Sequence, residues 1–103
     1  MWFLYILRAA DGSLYIGETG HIERRLAKHN DGSASSFTAT RRPLSLIYLE
    51  EYESRREALD RERQLKHWTR AKKEALIAGE TGLLKHLSRR AAADSGRRTP
   101  KDE

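Results

Sequence analysis

Two apolar stretches separated by a minimal turn leave this chain few ways to begin folding. The first, Trp2-Phe3-Leu4-Tyr5-Ile6-Leu7, is apolar at every position, and the second is Ser13-Leu14-Tyr15-Ile16-Gly17. Aromatic and branched side chains without polar alternation read as a strand covered on both faces, and the second stretch reads as a shorter strand. Between them Ala10-Asp11-Gly12 suits a three-residue hairpin loop, with Gly12 in the left-handed conformation that follows a type I turn. That loop fixes a register. With Ala9 opposite Ser13, odd-numbered residues face odd-numbered residues, so Tyr5 and Tyr15 project from one side; a slip of one residue would separate them.

Further along, Ile22 and Leu26 lie four apart within His21 to Asn30, with Glu23, Arg24, Arg25, Lys28 and His29 around the remaining circumference. This spacing predicts a short amphipathic helix on which Arg25 and His29 share a face. Residues 31–42 carry Gly, Ser, Thr and Ala with little periodicity and read as a loop ending at Pro43, with Ser33, Ser35 and Ser36 as loop filling. Leu44 to Tyr52 reads as a third strand, apolar on both faces and therefore expected at the centre of the sheet. Ser54-Arg55-Arg56-Glu57 fits a capping box and starts a helix whose apolar stripe, Ala58, Leu59, Leu65 and Trp68, is interrupted by Glu62. Thr69 caps a further helix, Arg70 to Ala78, ended by Gly79, and Leu83, Leu84 and Leu87 suggest a last short one. One domain over residues 1–90 and a disordered polar tail over 91–103 are expected.

Composition narrows the chemistry. The chain has 103 residues and no cysteine, which excludes disulfides, thiolate metal clusters and thiol nucleophiles. Its apolar runs are too short to span a bilayer, and the first one has no basic stretch before it and no small-residue cleavage site after it, so the cytoplasm is the expected compartment. Twenty basic residues against 15 acidic ones give a net charge of +5, which favours a polyanionic partner. Gly12 and Gly17 have the spacing of a phosphate-binding loop, but the position that must be Lys is Glu18. The four histidines form no H-E-x-x-H pair, which argues against a multi-ligand zinc site.

What remains is Tyr5, Tyr15, Arg25, His29 and Glu62. Each has an ordinary explanation: ring packing for the tyrosines, a solvated face for Arg25, a helix-dipole partner for His29, and an ion pair with Arg55, Lys66 or another local cation for Glu62. Taken in order along the chain, however, these residues resemble the GIY-YIG nuclease superfamily. Leu4-Tyr5-Ile6 stands where the first tripeptide is expected, and Tyr15-Ile16-Gly17 is the second one intact. Glu23-Arg24-Arg25-Leu26-Ala27-Lys28-His29 resembles the catalytic helix. Arg61-Glu62-Arg63-Gln64-Leu65-Lys66-His67-Trp68, followed by Arg70-Ala71-Lys72-Lys73 and Ala75-Leu76-Ile77, is similar to the small single-domain bacterial members. The departures are Leu4 in place of glycine, Tyr5 and Ile6 in the opposite order, no histidine in residues 31–42 and no asparagine after Asn30.

The resemblance implies an α/β (α+β) domain, a three-stranded antiparallel sheet flanked by helices, with a one-metal phosphodiesterase centre. In it Tyr15 or Tyr5 activates water, Arg25 stabilises the phosphorane, His29 assists, and Glu62 is the single protein ligand of Mg²⁺ or Mn²⁺. The expected function is a metal-dependent endonuclease acting on branched, nicked or single-stranded DNA in repair or processing, with a partner protein supplying specificity. Arg24, Arg25, Lys28, Arg41, Arg42 and Lys66 are the expected phosphate contacts. The alternatives are a non-catalytic nucleic-acid-binding module on the same fold, or an interaction protein that docks through the helices from Ser54 onward.

Overall fold

The computed structural model describes residues 1–79, so the helix expected around Leu83 to Leu87 and the tail over 91–103 lie outside the described residues. The chain divides after His67. Up to that point it contains β1 (Trp2–Ala9), β2 (Leu14–Thr19), α1 (Ile22–Asp31), α2 (Ser36–Ala39), β3 (Leu44–Tyr52) and α3 (Arg55–Lys66); beyond it lies α4 (Arg70–Ala78). No helix among the described residues is long and apolar enough to cross a membrane.

The hairpin has the expected register. The Ala9 amide donates to the Ser13 carbonyl at 2.8 Å, Gly12 has φ +89°, and Tyr5 lies opposite Gly17 with Leu7 opposite Tyr15. Tyr5 and Tyr15 therefore share the odd-numbered face. The strand order is β2-β1-β3 with antiparallel pairing throughout, so the central strand is β1 and not β3. Four consecutive residues of β1, Leu4 to Leu7, are buried, as a strand covered on both faces requires. On β3, Leu46 and Leu49 are 37% and 40% exposed, so its apolar content does not place it centrally.

A bulge explains how β3 differs. Tyr48, Glu50 and Tyr52 pair with Ile6, Leu4 and Trp2, but beyond Ile47 the register shifts and Leu46 and Leu44 pair with Leu7 and Ala9. One extra residue thus moves the strand's inward side chains from the even-numbered face to the odd one. Leu44 joins the core of Tyr5, Leu7 and Ala9, over which Ile22 and Leu26 of α1 pack.

The even-numbered face is covered by α3. Its capping box is present, with the Ser54 side chain accepting from the Glu57 amide and the Glu57 carboxylate accepting from the Ser54 amide, and Ala58 and Leu65 are fully buried. Arg61 holds this helix to the sheet through a two-pronged contact with Glu50, at 2.9 and 3.0 Å. The hydroxyls of Tyr48 and Tyr52 donate to the same carboxylate. Burial pushes the Glu50 carboxyl up, but the Arg61 hydrogen bonds and charge, with the two hydroxyls, outweigh it and hold the group below its ordinary range.

On the opposite face, α1 is tied to β3 by Asn30. Its Oδ1 accepts from the Leu44 amide at 2.7 Å and its Nδ2 donates to the Leu44 carbonyl at 3.0 Å. The segment 31–42, expected as a loop, contains α2. Ser35 caps it by accepting from the Thr38 amide at 3.1 Å, and Thr38 is fully buried. Past His67, α4 has the expected bounds, with Thr69 as its N-cap and Gly79 in the left-handed conformation at its end.

Candidate active site

Ile22, Leu26 and His29 form the inward stripe of α1, and His29 is fully buried. Its Nε2 lies 2.9 Å from the Tyr5 hydroxyl and its Nδ1 lies 2.8 Å from Thr38 Oγ1. Electrostatics sets the charge state of both groups. Burial, and then the Arg25 charge one turn away, lower the His29 pKa, so its ring is neutral at pH 7. Burial first, then Tyr15, raises the Tyr5 phenol above its ordinary range; Arg25 opposes this, and the Glu62 and Glu18 carboxylates reinforce it. A protonated phenol beside a neutral imidazole fits two tautomers; in the one protonated at Nδ1, the Tyr5 O–H donates to Nε2 and Nδ1–H donates to Thr38 Oγ1, which lies 3.4 Å from the Ser35 carbonyl.

Gly17 makes room for the Tyr5 ring. A Cβ on Gly17 would stand 2.5 Å from the Tyr5 hydroxyl and 2.6 Å from Cζ, closer than any side chain permits. The ring crosses the edge strand β2 over a glycine because the opposed position carries nothing. Gly17→Ala is expected to lower stability by about 1–3 kcal/mol through overpacking, since a ring that is 1% exposed has nowhere to go. Thermal melting and the His29 ring resonances check it: an unchanged melting temperature with the Tyr5–His29 bond intact would show that the ring yields freely.

Around this pair the aromatic side chains are layered. Tyr15 sets its ring edge-on to His29 at 4.9 Å and 6.3 Å from Tyr5, Phe37 lies 5.9 Å beyond Tyr15, and the Arg41 guanidinium stacks on Phe37 at 4.0 Å. Arg25 extends from α1 one turn before His29. Glu62 comes from α3 on the other face of the sheet, yet its charge reaches Tyr5. The structure thus packs Tyr5, Tyr15 and His29 against one another, with the charges of Arg25 and Glu62 acting on Tyr5. Of the cation partners considered for Glu62, Lys66 is the one engaged, with Nζ 2.7 Å from Oε2, while Arg55 pairs with Glu18 at 3.1 Å.

The expected phosphate contacts divide. Arg24 and Lys28 are exposed on α1. Arg41 donates to the Phe37 carbonyl at 2.9 Å and pairs with Asp11 at 3.3 Å, and Arg42 donates to the Ala39 carbonyl at 3.0 Å, so both are fastened to the segment around α2. Lys66 is directed at Glu62. Sequence reasoning missed Thr38, Ser35 and Phe37; the Ser-x-x-Thr spacing was a legible cap signal.

The donor set fits a hard divalent cation held by one carboxylate. Glu62 is partly buried and its charge acts on the Tyr5 phenol, as does that of Glu18, whose Oε2 is buried without a hydrogen-bond partner. Among the described residues no three His, Asp or Glu side chains gather as a metal cage. A single carboxylate completed by water and phosphate oxygens suits Mg²⁺ rather than zinc.

A family described as "GIY-YIG catalytic domain" matches residues 1–75. A UPF0213 protein of Natronomonas pharaonis is 42% identical over 80 residues, covering 78% of this chain and 94% of its own length. A UPF0213 protein of Staphylococcus aureus is 47% identical over 75 residues, covering 73% of this chain and 92% of its own. The solution NMR structure of a protein from E. faecalis superposes with a TM-score of 0.54 at 40% identity, over 77% of this chain and 84% of that one.

Proposed function

Because this chain belongs to the GIY-YIG catalytic-domain family, we propose that it is a divalent-cation-dependent endonuclease hydrolysing DNA phosphodiester bonds, with repair or processing as its setting. The observation that carries this reading is the Tyr5–His29–Thr38 chain of hydrogen bonds, on which the charges of Arg25 and Glu62 act. A phenol held above its ordinary pKa is a poor base alone. A neutral imidazole hydrogen-bonded to it removes the difficulty. As the Tyr5 oxygen takes a proton from the attacking water, the Tyr5 proton passes to His29 Nε2, and Thr38 holds Nδ1–H so that Nε2 remains the accepting nitrogen.

The attacking oxygen then bonds to phosphorus as the bond to the leaving oxygen breaks. Arg25 neutralises the charge that develops on the non-bridging oxygens. Glu62 would hold the Mg²⁺ or Mn²⁺ ion, which when bound supplies Lewis-acid stabilisation of the phosphoryl oxygens. Arg24 and Lys28, exposed on the same helix as Arg25, grip flanking phosphates without reading bases, which leaves substrate structure or a partner protein to provide specificity.

Labelled single-stranded, nicked and branched DNA, with supercoiled plasmid beside them, test the proposal in Mg²⁺ or Mn²⁺ with and without EDTA. The expected result is cleavage that EDTA stops, together with affinity that falls steeply as salt rises. Salt-sensitive binding without cleavage of any substrate would favour a non-catalytic binding module, and salt-insensitive binding would remove the polyanion reading altogether.

A further inference from the structure

We propose that Lys66 is a resident competitor for the cation at Glu62, so that its ammonium sets how much divalent metal the site requires. The inference deepens the reading of Glu62 as the metal ligand and rests on it. Lys66 stands one turn beyond Glu62 on α3, with Nζ 2.7 Å from Oε2. Glutamate followed four residues later by lysine is the favoured order for a helical ion pair. The ammonium thus sits on an oxygen that a metal would need.

The two side chains differ in how freely they can leave. Glu62 is 18% exposed, while Lys66 is 55% exposed and can swing its head into solvent without opening a void. The other nearby cations of α3 are engaged elsewhere, Arg55 on Glu18 and Arg61 on Glu50. Glu62 and the Arg55-paired Glu18 both act on the Tyr5 phenol. In the metal-free protein Lys66 balances the Glu62 charge. A divalent ion at Glu62 would meet the ammonium as a like charge a few ångströms away, so binding one favours expulsion of the other.

Mn²⁺ binding, followed through the electron paramagnetic resonance signal of the free ion, tests this on the full chain without reference to cleavage. Wild type is compared with Lys66→Gln, Glu62→Gln and Arg63→Gln, the last removing an exposed cation that pairs with Asp60 on the same helix. Lys66→Gln is expected to bind Mn²⁺ about two- to fivefold more tightly, the range of an exposed ion pair. Glu62→Gln should lose the binding and Arg63→Gln should leave it as in wild type. If Glu62→Gln loses binding but Lys66→Gln does not tighten it, or Arg63→Gln tightens it equally, the competitor role is overturned and the ligand role of Glu62 stands. If Glu62→Gln binds Mn²⁺ like wild type, the ligand reading fails and the competitor role fails with it.

Discussion

Replacing Tyr5 with phenylalanine is expected to reduce single-turnover cleavage by about 10²–10⁴-fold, the range for losing a positioned proton-transfer group. The ring that crosses Gly17 is retained, so packing survives. What disappears is the hydroxyl that links the water to His29, and Nε2 is left without its partner, at a cost of about 1–3 kcal/mol in stability. Tyr15→Phe is expected to cost less, because Tyr15 meets His29 through its ring, which phenylalanine keeps. The pH profile supplies a second check. Protonated His29 cannot accept from Tyr5, so the rate falls as pH drops through a His29 pKa that burial and Arg25 place below the ordinary histidine value of about 6.5. Folding stability has the same sign: the unfolded chain takes up the proton first, so stability is complete above about pH 6.5 and declines as pH falls through the folded value. Tyr5→Phe cleaving at the wild-type rate would place the proton path elsewhere.

The second large effect is structural. Arg61→Ala is expected to destabilise the protein by about 2–3 kcal/mol, because it leaves the half-buried Glu50 carboxylate without its counter-charge. At roughly 4–8 °C per kcal/mol for a domain of this size, the melting temperature should fall by about 8 °C or more. Arg56→Ala, removing a pair in which both partners are exposed, should barely move it. Equal melting shifts for the two variants would show that the half-buried cluster holds α3 no better than a surface pair. Arg61 precedes Glu62, so the clamp that fixes α3 on the sheet also decides where Glu62 is presented.

Much of this arrangement was legible because it depends on local rules. A three-residue loop ending in Gly12 dictates one hairpin register, and that register puts Tyr5 and Tyr15 on one face. The capping box at Ser54 and Glu57 starts α3 where expected, and the four-residue step between Arg25 and His29 needs only helical geometry. The rest depended on partners far away in the chain. The apolar count of β3 suggested a central strand because the bulge at Ile47 distributes its side chains over both faces, and composition does not reveal a bulge. Residues 31–42 looked featureless because Ser35 and Thr38 matter through hydrogen bonds to each other and to His29, which lies outside the segment. Tyr48, Glu50 and Tyr52 show strand alternation plainly, but nothing local names Arg61 as the group they await.

The bulge in β3 also has a mechanical meaning. The first half of this nine-residue strand is fastened through Leu44 to Asn30 at the end of α1, and its second half is fastened through Glu50 to Arg61 of α3. β3 is therefore a tie rod joining the helix that carries Arg25 and His29 to the helix that carries Glu62, and the extra residue at Ile47 lets one rod grip both sides of a sheet. A one-residue deletion there would turn one grip outward, so the length of a strand remote from the reacting atoms gauges the span between the two halves of the site.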